Sequence, residues 1–230
     1  MIDILDEVLE SAIDFPTKEE IDKNLPTCFE DFKTTRIILD CTEINIHKPK
    51  NLCCQLRTYS FYKGTNTAKY MTGVTPGGLI SFLSKGYGGR ASDKAICEQS
   101  GLLELIAQDK NKSIMVDKGF LIEGICRDYG IKSIRPPFVK NKKPFSEEDA
   151  LNTCNIASAR VHVERDNQRL KVFDILGSRM PSCLVPKSDK IMRILCAIVN
   201  LSSPILRDNK FFNNDENSNN SDNDKSHPDL

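Results

Sequence analysis

A chain of 230 residues with 39% hydrophobic and 28% charged residues can bury one good-sized core, and its composition is that of an ordinary globular protein. No apolar run approaches the length of a membrane span, and the acidic start Met1-Ile2-Asp3-Ile4-Leu5-Asp6 is not the pattern of a secretory signal. Nine irregularly spaced cysteines without a C-x-x-C pair, beside only three histidines, argue for a reducing compartment and against a zinc site.

The formal net charge of zero is unevenly spread. From Asp208 to Leu230 six acids face two bases, which leaves a mildly basic body ahead of an acidic tail. The cysteines read as small core residues.

In chain order, Ile2, Leu5, Val8, Leu9 and Ile13 recur at helical spacing. Pro16 and Thr17 then open a short second helix over 18–24 that Pro26 closes. The first long strand is expected over 36–46. In it Ile37, Ile38 and Leu39 form a continuous apolar run, as in a strand buried on both faces, and Ile44 and Ile46 alternate with polar positions. A loop rich in bases and aromatics follows between Pro49 and Gly64, with Lys48, Lys50, Arg57, Tyr59, Phe61, Tyr62 and Lys63.

Two strands, 68–75 and 79–84, flank the turn Thr75-Pro76-Gly77-Gly78, and Gly86, Gly88 and Gly89 end the second. Ser92 caps a helix reaching Gln108, with a break at Gly101. A fourth strand, 113–116, ends at Asp117. A helix over 121–129 leads through Gly130 to a fifth strand at 133–135, stopped by Pro136-Pro137. Ser146-Glu147-Glu148-Asp149 has the form of a capping box and opens a long helix to Leu170, followed by an apolar helix over 190–200. Asn, Asp and Ser without periodicity from Asn213 onward imply disorder.

This order predicts an α/β fold in which a mixed sheet, antiparallel over strands one to three and parallel over strands four and five, is flanked by helices. The expected division is a helical segment over 1–34, the α/β domain over 35–206 and an acidic tail over 207–230.

Three acids occupy informative places. Asp40 lies within strand one, where a carboxylate is costly to bury without a partner or a cation. Asp117 follows strand four, at the sheet end where open sheets place ligands. Glu164 lies in the long helix, where Leu151, Cys154, Ala157 and Val161 step by three or four and Glu164 continues the stripe toward the sheet. Converging carboxylates repel unless divalent cations sit between them, and oxygen-only ligation suits Mg²⁺ or Mn²⁺. Each acid also has a plainer reading. Asp40 would bond backbone, Asp117-Lys118-Gly119 would be a simple turn, and Glu164 would be a solvated residue beside Arg160 or Gln168. An aspartyl-phosphate nucleophile at Asp40 is set aside, since that chemistry wants a second Asp where Thr42 stands.

Six motifs appear in order. They are Ile38-Leu39-Asp40-Cys41-Thr42-Glu43, then Tyr59-Ser60-Phe61-Tyr62-Lys63 with Asn66-Thr67-Ala68-Lys69, Gly73-Val74-Thr75-Pro76-Gly77-Gly78, Ser92-Asp93-Lys94, Val116-Asp117-Lys118-Gly119-Phe120, and the run from Ile156 to Arg165. Over residues 25–206 the chain thereby resembles the DDE superfamily endonucleases of Harbinger-type DNA transposons, including those found with THAP-domain proteins. The resemblance implies an RNase H-like fold and a transposase nuclease. Asp40, Asp117 and Glu164 would be catalytic and would hold two Mg²⁺ (or Mn²⁺) for strand cleavage and transfer. Asp93, in the first turn of its helix, is an auxiliary candidate or a plain helix-dipole partner.

Two departures from the family pattern stand out. Many relatives read Asp-Gly-Thr and Asp-Ser-Gly-Tyr where this chain has Asp40-Cys41-Thr42 and Asp117-Lys118-Gly119-Phe120, and Lys118 beside a ligand would weaken cation binding. Candidate DNA contacts are Lys63, the acid-free basic stretch with Lys140, Lys142 and Lys143, and Arg160, Arg165 and Arg169 around Glu164. The implied partners are transposon ends or target DNA in the nucleus, with no membrane. Relatives carry a DNA-binding module ahead of the core. Here residues 1–34 read as a remnant, so a separate DNA-binding protein is expected to help. The alternative is a truncated or domesticated derivative that binds DNA or protein without cutting.

Overall fold

The computed structural model describes residues 1–109, 111–136 and 147–203. Its helices are α1 (Ile2–Leu9), α2 (Lys18–Lys23), α3 (Leu52–Thr58), α4 (Asp93–Gln99), α5 (Leu102–Ala107), α6 (Glu123–Asp128), α7 (Glu147–Lys171), α8 (Asp174–Gly177) and α9 (Ser188–Leu201). Its strands are β1 (Thr35–Asn45), β2 (Tyr59–Ser60), β3 (Thr65–Val74), β4 (Ile80–Leu83), β5 (Tyr87–Gly88), β6 (Ser113–Val116) and β7 (Lys132–Ile134).

β1 is the axis of the sheet. Successive side chains point to opposite faces, so Ile37 and Leu39 enter one apolar cluster and Ile38, Ile44 and Ile46 the other. Burying each such side chain is worth about 1.5–3 kcal/mol, and only a strand covered on both sides collects that from consecutive residues. The Ile37 and Leu39 face carries α4, α5 and the start of α6, through Ile96, Leu102, Leu103, Ile106 and Cys126. The Ile38 face carries α7 and α9, through Ile156, Ala159, Leu170, Met192 and Leu195.

β3 runs antiparallel to β1, with Asp40 opposite Thr72 and Glu43 opposite Lys69. β6 runs parallel to β1 and β7 parallel to β6. The sheet order is β2-β3-β1-β6-β7, with β4 and β5 also paired antiparallel to β3. The mixed α/β sheet matches the expected RNase H-like architecture. Gly101 adopts a φ of 76°, and this left-handed residue divides the expected single helix into α4 and α5.

One expectation is corrected here. The segment after Pro49 is not a plain loop, because Asn51 caps α3 by accepting from the Cys53 and Cys54 amides and β2 then pairs with β3. The segment is short, and its leucines stay exposed because α3 buries none of its residues, so no core-facing stripe marks it.

Ahead of the sheet, Phe29 and Phe32 join the core on the Ile38 face. α1 lies along α9, where Lys190 (2.7 Å) and Lys187 (3.0 Å) both donate to Asp3. These ammonium groups, Lys190 foremost, hold Asp3 at about 2, below its ordinary 3.8. Among the described residues no helix is long and apolar enough to cross a membrane.

Candidate active site

The parallel register of β1 and β6 is the first determinant of the site. Leu39 pairs with Val116, so Asp40 and Asp117 come next to each other where the two strands leave that pairing. Adjacent strands are about 4.8 Å apart, which makes the two residues near neighbours. Alternation puts Asp40 on the face of Ile38, the side covered by α7, and Asp117 directly follows the last residue of β6. Asp40, mid-way along β1, thus meets α7, and Asp117 stands at the neighbouring position just past the end of β6.

α7 answers with Asn167. Its Nδ2 donates to Asp40 Oδ2 at 2.8 Å, and its Oδ1 accepts from Thr72 Oγ1 at 3.3 Å. Thr72, the β3 residue opposite Asp40, also donates to the Asp40 carbonyl at 3.4 Å. The second carboxylate oxygen, Oδ1, accepts from the Cys41 amide at 2.8 Å. The Asp40 carboxylate is therefore held by Asn167 of α7 and by the next amide of its own strand. Asn167 is buried, and its amide is satisfied by this pair of contacts. Polar residues carry no periodic signal, and neither Asn167 nor Thr72 was legible as part of the site in the sequence.

Asp117 is exposed and begins a tight turn, in which its Oδ1 accepts from the Lys118 amide at 2.6 Å and its carbonyl from the Phe120 amide at 3.0 Å. The structure shows the turn, and a turn at a strand end presents its side chain to solvent.

The stripe expected on α7 is corrected. Cys154 and Ala157 are exposed, and the packed face instead runs through Ile156, Ala159, Asn167 and Leu170. Ile156 and Leu170 bury more apolar area than an alanine and a cysteine, so they set the rotation of the helix. Glu164 is exposed, three residues before Asn167, and i,i+3 side chains on a helix are neighbours at about 5–6 Å between Cβ atoms. That puts Glu164 one turn from the Asn167–Asp40 bond, on an open rim rather than in the packed seam. Among the described residues, no three carboxylate, imidazole or thiol groups are already gathered as a metal cluster. The donor set fits a hard cation: the acids supply oxygen alone, with two of them side by side and Glu164 a turn away.

Asp93 lies elsewhere. It is on the opposite face of β1, where Lys69 Nζ reaches Asp93 Oδ1 at 3.0 Å and Glu43 Oε1 at 3.4 Å, and Thr67 Oγ1 donates to Glu43 Oε2 at 2.8 Å. Burial alone would lower the Lys69 pKa, but the Asp93 hydrogen bond and charge together with the Glu43 charge hold it above its ordinary value. Burial foremost, then the Asp93 charge and hydrogen bond, push the neighbouring Cys41 thiol far up, so it is no nucleophile at neutral pH. This cluster clamps β1, β3 and α4 together behind the strand that bears Asp40.

Of the candidate DNA contacts, Lys63 is exposed and lies 4.8 Å over the Tyr62 ring. Arg165 is exposed beside Glu164, and Arg169 is half-buried and donates to the Ser203 carbonyl at 3.1 Å. Lys140, Lys142 and Lys143, and the side chain of Arg160 in α7, lie outside the described residues.

A family model described as DDE superfamily endonuclease matches residues 39–200, a span from just before Asp40 to the last turn of α9. No curated protein and no solved structure matches the chain.

Proposed function

This chain belongs to the DDE superfamily endonucleases, and from that membership we propose that it is a Harbinger-type transposase core that cleaves and transfers DNA strands, with Asp40, Asp117 and Glu164 as ligands of two divalent cations. The adjacency of Asp40 and Asp117 at the β1–β6 register, with Asp40 bonded to the helix that bears Glu164, is what carries the reading. Mg²⁺ or Mn²⁺, when bound, would neutralise charge on the transferring phosphate and acidify the attacking hydroxyl. Asn167 and the Cys41 amide fix the Asp40 carboxylate before any ligand arrives, so little reorganisation is left for the binding step. Asp117 and Glu164 stay open to solvent, as a site that must admit a polymer requires. Arg165, exposed beside Glu164, supplies positive charge next to the acids for the phosphate backbone.

The same reading takes residues 35–206 as the nuclease domain. It takes transposon ends or target DNA in the nucleus as substrate, and a separate DNA-binding protein as helper. The test is nicking of plasmid and terminal-repeat DNA with Mg²⁺ or Mn²⁺ by the wild-type chain and by Asp117→Asn. Cutting should fall to the level of buffer alone in the variant, and equal cutting by both would sink the assignment. A second reading, a derivative that binds DNA without cutting, is favoured by the Lys118 cation next to Asp117. It predicts DNA binding with no nicking by the wild type and a gain of cation affinity in Lys118→Ser.

A further inference from the structure

Between Ile44 and Ser92 the sequence has no acidic residue and seven basic ones: Lys48, Lys50, Arg57, Lys63, Lys69, Lys85 and Arg90. The fold gathers the first part of this run around α3 and β2, where it makes an unusual surface. α3 buries none of its residues, with Leu52 68% and Leu56 55% exposed. Just beyond it Phe61 is 79% and Tyr62 85% exposed, and Tyr59 packs edge-on to Phe61 at 5.5 Å. These side chains contribute nothing to the core, so they are not kept aromatic by packing.

An open cleft of about 360 Å³ lies against Leu52, Leu56 and Tyr59, beside the Phe61 and Tyr62 segment, and is also lined by Lys48, Asn66 and Arg179, with no carboxylate in its wall. Its wall includes Ile46, which directly follows β1 and joins the Ile38 side of the core. Six residues of strand at about 3.3 Å each put the cleft roughly 20 Å from Asp40, on the side to which β1 continues past its pairing with β6.

We infer that this cleft and the rings of Tyr59, Phe61 and Tyr62 bind unpaired DNA bases flanking the cleavage site. The inference rests on the nuclease reading and adds to it that part of the substrate is single-stranded. Exposed rings offer flat π-faces, which bases inside a duplex have already satisfied by stacking on each other and which splayed-out bases have not. Lys63 over Tyr62, with Lys48 and Arg179 at the cleft, provides cations for the accompanying phosphates. A protein partner is the weaker fit, because protein–protein interfaces are depleted in lysine, and here Lys48 lines the cleft and Lys63 lies over Tyr62.

The experiment measures binding of the full chain to a fluorescent oligo-dT strand and to a duplex of equal length, in EDTA so that cleavage plays no part. The variants are Tyr62→Ala, Phe61→Ala and Lys63→Ala, all at exposed positions where folding is not at stake. Each ring variant should lose about tenfold or more in affinity for the single strand, with the salt dependence unchanged and duplex binding within twofold of wild type. Lys63→Ala should weaken both and make the single-strand salt slope shallower by about 0.7. Ring variants that bind oligo-dT like wild type, losses equal on strand and duplex, or a wild type that ignores single strands would each overturn the inference. So would displacement of nothing but an acidic protein segment from this surface. None of these outcomes touches the nuclease reading, which is judged by cation-dependent nicking of duplex DNA.

Discussion

Replacing Asn167 is the sharpest probe of how the candidate site is held. Its amide donates to the Asp40 carboxylate at 2.8 Å and accepts from Thr72 at 3.3 Å. A hydrogen bond to a charged group contributes about 1.5–3 kcal/mol, and a long neutral one about 0.5 kcal/mol. Asn167→Ala should therefore destabilise the fold by about 2–3 kcal/mol. For a chain of this size that is a fall of roughly 4–12 °C in Tm. Asn167→Asp keeps the shape but turns the donor into an acceptor facing Asp40, so it should cost more than the alanine change at neutral pH. Added Mg²⁺ should recover part of that loss in Asn167→Asp and little in Asn167→Ala, because only the aspartate adds a ligand. Urea titrations of wild type and both variants, with and without Mg²⁺, provide the measurement. Two variants within about 0.5 kcal/mol of wild type, the range of an ordinary surface substitution, would refute the Asn167–Asp40 linkage in solution.

Two further outcomes follow from charges away from the site. Lys69→Met should cost about 3 kcal/mol in a urea titration, the low end for breaking a buried ion pair. It strands Glu43, whose side chain is 8% exposed, while Asp93 retains some water; Lys69→Arg should recover part of the loss. At Asp3 the folded pKa is depressed, so its contribution is present above the ordinary 3.8 and fades as pH falls toward about 2. The Tm difference between wild type and Asp3→Asn should accordingly be constant near neutrality, vanish across that window, and shrink in high salt.

The central strand was legible because its signal is local. Ile37, Ile38 and Leu39 in succession demand cover on both faces, and the structure supplies two clusters that share no residue of β1. The Thr75–Gly78 turn and the break at Gly101 were legible for the same reason, since Gly78 (φ 89°) and Gly101 (φ 76°) act on the backbone directly. α3 escaped notice because a helix that buries nothing has no periodicity to read. The rotation of α7 was misread because small apolar residues are spread around that helix, and counting them gives no weight to how much area each one buries.

What the sequence by itself determined, then, is the long strands and most of the helices, with Asp40 within β1 and Asp117 just after β6. Those positions follow from apolar runs and turn residues a few positions apart. What only the tertiary structure decided is which groups meet those acids. Thr72 reaches Asp40 through strand register, and Asn167 reaches it from 127 residues away through the seating of α7. The same seating sends Glu164 to the open rim, and the two faces of β1 separate Asp93 from Asp40. Partners so distant are chosen by how the sheet and helices bury area together, and a polar side chain leaves no trace of that choice in its neighbours along the chain.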